Sequence, residues 1–143
     1  MNRGVLLLPP ESRIRRSLVS QSFRMAYEAF SRGDFEAAFV QLHPNVEWRT
    51  PASFPDAEVL HGRRAVVDWY GTRWANSWEW WESRPERIID RGDGQIVIHA
   101  ITRGRGVASG VDVELRDTDI YEIQRGWAVR VREIDESVLD MGT

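Results

Sequence analysis

The sequence predicts an α+β domain, with helices first and an antiparallel sheet after them. Three observations predict it. Apolar residues recur at helical spacing from Ser12 to Leu42 and again from Gly62 to Trp74. From Trp78 onward the period shortens to two. The strand-like runs there are separated by short glycine-bearing turns and not by helices, which excludes βαβ alternation.

Residues 1–11 read as an N-terminal arm, extended because Pro9-Pro10 forbids helix. Residues 12–143 then form one domain. Ser12 is an N-cap, and Leu18, Val19, Phe23, Ala26, Tyr27 and Phe30 mark the buried side of a first helix. Gly33 stops that helix and Asp34 caps a second, which carries Phe35, Ala38, Phe39 and Leu42 inward until Pro44 ends it. Asn45 to Thr50 has strand character, with Val46 and Trp48 on one face. Ala52 to His61 holds two turns and no period, as expected of a loop over the mouth of the fold. Gly62 to Trp74 is helical through Val66, Val67, Trp69 and Tyr70. Strands follow near 78–90, 95–104, 110–123 and 127–135, with turns at Gly92-Asp93-Gly94, Gly104 to Gly110 and Arg125-Gly126. Neither a repeat nor a linker interrupts the chain.

The strand from Gln95 to Arg103 is apolar on both faces, Val97 and Ile101 on one and Ile96, Ile98 and Ala100 on the other. A sheet with one solvated face alternates apolar with polar, so both faces of this strand are expected to be covered, one by helices and one by a second copy of the chain. This predicts a homodimer. The face with His99 and Arg103 sets reactive groups among apolar ones and is read as the pocket face. In the next strand, Arg116-Asp117-Thr118-Asp119 interrupts the alternation, as a bulge would.

Bulk composition narrows the function. At 143 residues the chain can bury a core without covalent staples. Cysteine is absent, which removes disulfides and thiolate metal sites. The 19 basic residues are all arginine, which excludes lysine Schiff-base chemistry and fits the coding bias of a GC-rich bacterial genome. A net charge of -3 gives no general attraction to nucleic acid or anionic membrane. The apolar run Val5 to Leu8 is too short for a signal segment or a membrane span, so the expected location is the cytoplasm. His43, His61 and His99 come from separate elements without metal-ligand spacing, and Gly104-Arg105-Gly106 lacks the phosphate-loop pattern. Neither metal nor cofactor is expected.

Several pieces together resemble a known family: the tyrosine-bearing first helix through Gly33-Asp34, His43-Pro44 into Glu47-Trp48, the His61-Gly62-Arg63 helix start, Gly104-Arg105-Gly106 with Ser109-Gly110, and the closing Gly126 hairpin. In this order they are similar to the SnoaL-like and ketosteroid-isomerase-like branches of the nuclear transport factor 2-like superfamily. The resemblance runs from about Ser12 to Gly142 and implies a cone, a curved sheet wrapped with helices around one apolar pocket. It specifies fold far more than activity.

What the resemblance implies for the site is mixed. Ketosteroid isomerases use a base and an oxyanion hole built from a tyrosine and a protonated aspartate. Registering the Gly33-Asp34 turn through Pro51 puts Thr50 at the base position, and threonine is no base at neutral pH. The oxyanion tyrosine falls on Ala26, with Tyr27 one residue out of phase. Registering the last hairpin puts Asp119 at the oxyanion aspartate, and Trp69-Tyr70 falls on an aromatic pair lining the pocket. SnoaL-type cyclases use a carboxylate and a histidine, roles that Asp119 and His99 would fill. Epoxide-hydrolase-like members clamp an arginine between two carboxylates, as Arg103 would sit between Asp119 and Glu133.

The candidate catalytic residues are therefore His99 and Asp119, with Tyr27, Trp69, Tyr70, Trp74, Arg103 and Glu133 binding substrate. Each has a plainer reading: His99 as a hydrogen-bonded core histidine, Asp119 as a bulge residue or arginine partner, Glu133 as a solvated ion pair, the aromatics as core. Two functions stay open. One is cofactor-free acid–base catalysis on a small apolar or cyclic molecule, of isomerase, cyclase or hydrolase type. The other is a non-catalytic module of the same fold that binds a ligand or dimerises.

Overall fold

Two side-chain caps divide the helical half of the chain. The computed structural model describes residues 3–9, 11–50 and 58–140. The arm is not wholly extended: α1 (Arg3–Leu6) forms one helical turn, because the prolines lie downstream of it. Val5 and Leu6 pack against the core beneath the next helix. Ser12 caps α2 (Arg13–Ser31), its hydroxyl accepting from the Arg15 N–H at 3.3 Å. Gly33 takes a left-handed φ of 78°, and the Asp34 carboxylate accepts the Ala37 N–H to open α3 (Phe35–Ala38).

α3 is a single turn and does not reach Leu42. Instead β1 (Leu42–Arg49) begins before Pro44, which lies inside the strand. The proline is tolerated there because the pairing of β1 is irregular between Leu42 and Glu47. Part of the expected loop is a strand, β2 (Val59–His61), paired antiparallel with β1; residues 51–57 lie outside those described. Thr50 is fully buried and exchanges bonds with Glu58, accepting the Glu58 N–H at 2.7 Å and donating to its carbonyl at 3.0 Å.

Helix α4 (Arg63–Trp69) runs into a π-helical turn at Tyr70–Trp74 and the short α5 (Ala75–Ser77). The remaining strands are β3 (Trp78–Asp90), β4 (Gln95–Gly106), β5 (Asp112–Gln124) and β6 (Trp127–Asp140). One six-stranded sheet results, in the order β2-β1-β6-β5-β4-β3. Among the described strands only the β1–β6 pair is parallel. Helices packed on a curved, mainly antiparallel sheet make the α+β cone. β4 extends through Gly104 to Gly106, so those residues are strand and not loop. A Cβ at Gly104 would stand 2.7 Å from the Trp78 ring, which explains the glycine.

The helices cover one face of the sheet. Val19, Phe23 and Tyr27 of α2 pack on Ile96, Ile98 and Ala100 of β4. Phe35, Phe39, Trp69, Tyr70 and Trp74 pack with Val46, Trp48 and Val131. The inner face of β4 is therefore the one with Ile96, Ile98, Ala100 and Thr102. This reverses the expectation for His99 and Arg103, which lie on the outer face. The register changes between Arg116 and Asp117, where the polar run suggested a bulge, but the extra residue belongs to β6: Arg116 pairs with Ser137 and Asp117 with Asp135.

Candidate functional site

Between the inner face and the helices lies a cavity of about 70 Å³. Its wall is assembled from three directions. Strand alternation in β5 sends Asp117, Asp119 and Tyr121 inward, and Glu133 of β6 is the direct cross-strand partner of Asp119. Tyr27 and Phe30 come from α2 one turn apart, with Phe39 beside them. The π-helical turn supplies Tyr70 and Trp74, and β1 supplies Trp48. Such turns recur where a helix must present side chains at a functional site.

Hydrogen bonds fix the carboxylates. The Tyr27 hydroxyl donates to Asp119 Oδ2. The Tyr70 hydroxyl donates to Glu133 Oε1, and the Trp48 indole N–H donates to the same oxygen at 3.2 Å. One oxygen from each of Asp117, Asp119 and Glu133 lies within 4.8 Å of the others. Like charges that close repel by roughly 3 kcal/mol at an effective dielectric near 20. Ionising all three at once is therefore costly, and the cluster favours holding a proton or attracting a cation. That spacing also meets the reach of a divalent metal, a feature that reasoning from histidines alone overlooked.

Burial acts on the phenols as well. Tyr27, Tyr70 and Tyr121 are all pushed well above the ordinary tyrosine range, first by burial and next by the nearby carboxylates: Asp119 for Tyr27 and Tyr121, Glu133 for Tyr70. They are held as neutral donors. These three are every tyrosine in the chain.

Of the residues singled out from sequence, Asp119, Glu133, Tyr27, Tyr70 and Trp74 meet around the cavity. Trp69 does not line it; its ring packs 4.8 Å from that of Tyr70 and backs the wall. His99 is on the far side of the sheet, its Nδ1 3.0 Å from the Thr118 hydroxyl. Arg103 is there too, and it pairs at 2.9 Å with Glu114, not with Asp119 or Glu133. The reason is register: Arg103 faces Glu114 directly across the β4–β5 pair, and His99 faces Thr118. Trp81 turns inward, stacking on Phe35 and donating to the Phe30 carbonyl, while Trp80 is exposed. Sequence reasoning missed Asp117, Tyr121 and Trp48 as wall residues. The period-two spacing of Asp117, Asp119 and Tyr121 held that signal.

A helix-backed sheet closing on an aromatic, carboxylate-bearing cavity defines a cone of the nuclear transport factor 2-like class. A model of the SnoaL-like domain matches residues 23–131, and the chain belongs to that family. Similar solved structures include a nuclear transport factor 2-like protein of unknown function from Burkholderia pseudomallei, 23% identical, with a TM-score of 0.69 over 81% of this chain and 88% of that one. SalBIII, an epoxide hydrolase/cyclase-like enzyme with a role in pyran ring formation in salinomycin, is 12% identical with a TM-score of 0.69, covering 92% of this chain and 98% of its own. A Mycobacterium tuberculosis protein in complex with estradiol-17beta-hemisuccinate is 18% identical with a TM-score of 0.63, covering 82% and 90%. No curated protein matches the chain. At these identities the likeness is one of fold. Among the described residues no helix is long and apolar enough to cross a membrane.

Proposed function

We propose that this protein binds a small, largely apolar or cyclic molecule in the aromatic cavity and acts on it by cofactor-free acid–base chemistry. The observation that carries this reading is the direct cross-strand pairing of Asp119 with Glu133 inside the cavity, each holding a tyrosine hydroxyl. Glu133 accepts two hydrogen bonds at one oxygen, which suits an anionic base. Asp119, beside it and beside Asp117, is the member suited to take up and pass on a proton during the reaction. The single hydroxyl protons of Tyr27 and Tyr70 are given to the two carboxylates, and Tyr121, kept neutral by burial in the same wall, is the phenol placed to stabilise charge developing on a substrate oxygen. Solved relatives with cyclase-like activity or a bound steroid ester are consistent with such a ligand.

His99 has no part in this reading, since it lies across the sheet from the cavity. The protein is read as a homodimer through the outer sheet face, where Ile134 and Trp80 are both more than two-fifths exposed.

The test is solvent-deuterium exchange. Cyclic ketones and related carbon acids, incubated with the protein in D₂O, should gain deuterium at the acidic carbon, as followed by proton NMR. Asp119→Asn and Glu133→Gln should abolish the gain. Binding without exchange across the panel would replace catalysis by simple ligand binding.

A further inference from the structure

We infer that the cavity selects an organic cation, a protonated amine or quaternary ammonium carried on a compact apolar body. This rests on the reading above that the cavity is the ligand site, and it names the ligand's charge. The charged residues in the described wall are Asp117, Asp119 and Glu133, all acidic and converging within 4.8 Å. Tyr27 holds Asp119, and Tyr70 and Trp48 hold Glu133, all as neutral donors, and the described wall residues include no arginine or histidine. Such donors orient a carboxylate without cancelling its charge, so the wall keeps a negative field.

Seven aromatic rings complete the wall. The faces of such rings carry negative potential and attract cations, most strongly quaternary or protonated nitrogen stripped of water. The same rings suit the apolar remainder of the ligand. A hydrated divalent metal would need more oxygen ligands and room for its waters than an aromatic wall offers, which favours the organic ion. A positive head group also relieves the mutual repulsion of the three carboxylates, which a neutral ligand leaves in place.

The test compares pairs of matched shape in which one member is a cation and the other is neutral. Choline is set against 3,3-dimethylbutan-1-ol, and benzylamine against benzyl alcohol. Binding to the whole protein near neutral pH is followed through the indole N–H signals of Trp48 and Trp74. Each cation should bind about tenfold or more tightly than its neutral partner. Asp119→Asn and Glu133→Gln, checked for native circular dichroism, should each remove most of that preference while sparing the neutral probe. Equal or tighter binding of the neutral partners overturns the inference and leaves the cavity as the ligand site. Binding of none of the four overturns it too, and deuterium exchange then judges the catalytic reading separately. Titration with Mg²⁺, Mn²⁺ and Ca²⁺ supplies the remaining outcome: a metal that binds and excludes choline would also overturn it.

Discussion

Tyr27 and Asp119 stand 92 residues apart in the chain, and the phenol of one donates a hydrogen bond to the carboxylate of the other inside the cavity. The contact ties the main helix to the centre of the sheet. It also places a neutral donor on one of three crowded carboxylates, so stability and function make opposite demands on Asp119.

That opposition gives signs to two substitutions. Asp119→Ala removes the acceptor, leaving the buried Tyr27 hydroxyl unmatched, and should cost about 1–3 kcal/mol. Asp119→Asn keeps an acceptor for Tyr27 and removes one of three like charges, so its stability should equal or exceed that of the parent. Both should lose the deuterium exchange proposed for the cavity. Urea denaturation of the two variants checks this, and a marked loss of stability in the asparagine variant would refute the charge argument.

All three tyrosines of the chain belong to the cavity, so an alkaline titration reads the site alone. Their folded pKa values are raised by burial and by carboxylates. A raised folded value means the stabilisation is complete below the unfolded tyrosine pKa, about 10, and is lost as pH climbs toward the folded value. Tyrosinate absorbance should therefore stay absent through pH 10 and rise together with unfolding. A tyrosine titrating near its ordinary pKa in the native protein would show the cavity to be wetter than its geometry implies.

Most of the fold was legible because its long elements announce themselves locally, whereas the one-turn α1 and the three-residue β2 carry too few residues to show a period. Ser12, Gly33 and Asp34 act at the helix ends that their chemistry suggests, and the four long strands follow the period-two runs. The site was half legible. Asp119, Tyr27, Tyr70 and Trp74 line the cavity, but the inner face of β4 was assigned in reverse. Both its faces are apolar, so alternation alone could not say which one α2 covers. Only the contact of Val19 and Phe23 with Ile96 and Ile98 decides it, and that contact is non-local. His99 and Arg103 were lost with that choice, and Arg103 took the cross-strand neighbour that register gave it, Glu114. Glu133 was undervalued because Arg130 and Arg132 flank it, although they point to the other side of the strand.

The same reversal decides where the homodimer can be tested. Ile98 is wholly buried under α2, so a charge there would unfold the protein and report nothing about assembly. The outer strip is Val97, Ile120 and Ile134 on neighbouring strands, with Ile134 45% exposed. Sedimentation should give twice 16.6 kDa for the parent. Ile134→Glu should give a folded monomer with its cavity intact, since a two-fold interface repeats the change on both sides. A monomeric parent would remove the dimer.

The most consequential structural ion pair lies at the opposite end of α2. The Arg15 guanidinium grips Asp90 at 2.5 and 2.9 Å and donates to the carbonyls of Leu6 and Leu8 at 3.1 and 2.6 Å. The two side chains are only 7% and 6% exposed. One arginine thus joins the N-terminal arm, the first helix and the edge strand. Arg15→Ala would leave a buried carboxylate without its cation and release two carbonyls, at a cost of about 3–5 kcal/mol. Replacing both partners, Arg15→Met with Asp90→Leu, should recover most of the loss in global stability, because no buried charge is then left alone. The carbonyls of Leu6 and Leu8 would still lack their donor, so the arm should remain loose in the double variant. Hydrogen exchange separates the two effects: residues 3–9 should exchange faster in both variants, whereas the sheet should exchange faster only in Arg15→Ala. Protection of the arm unchanged in both would show that the packing of Val5 and Leu6, and not the arginine, holds it in place.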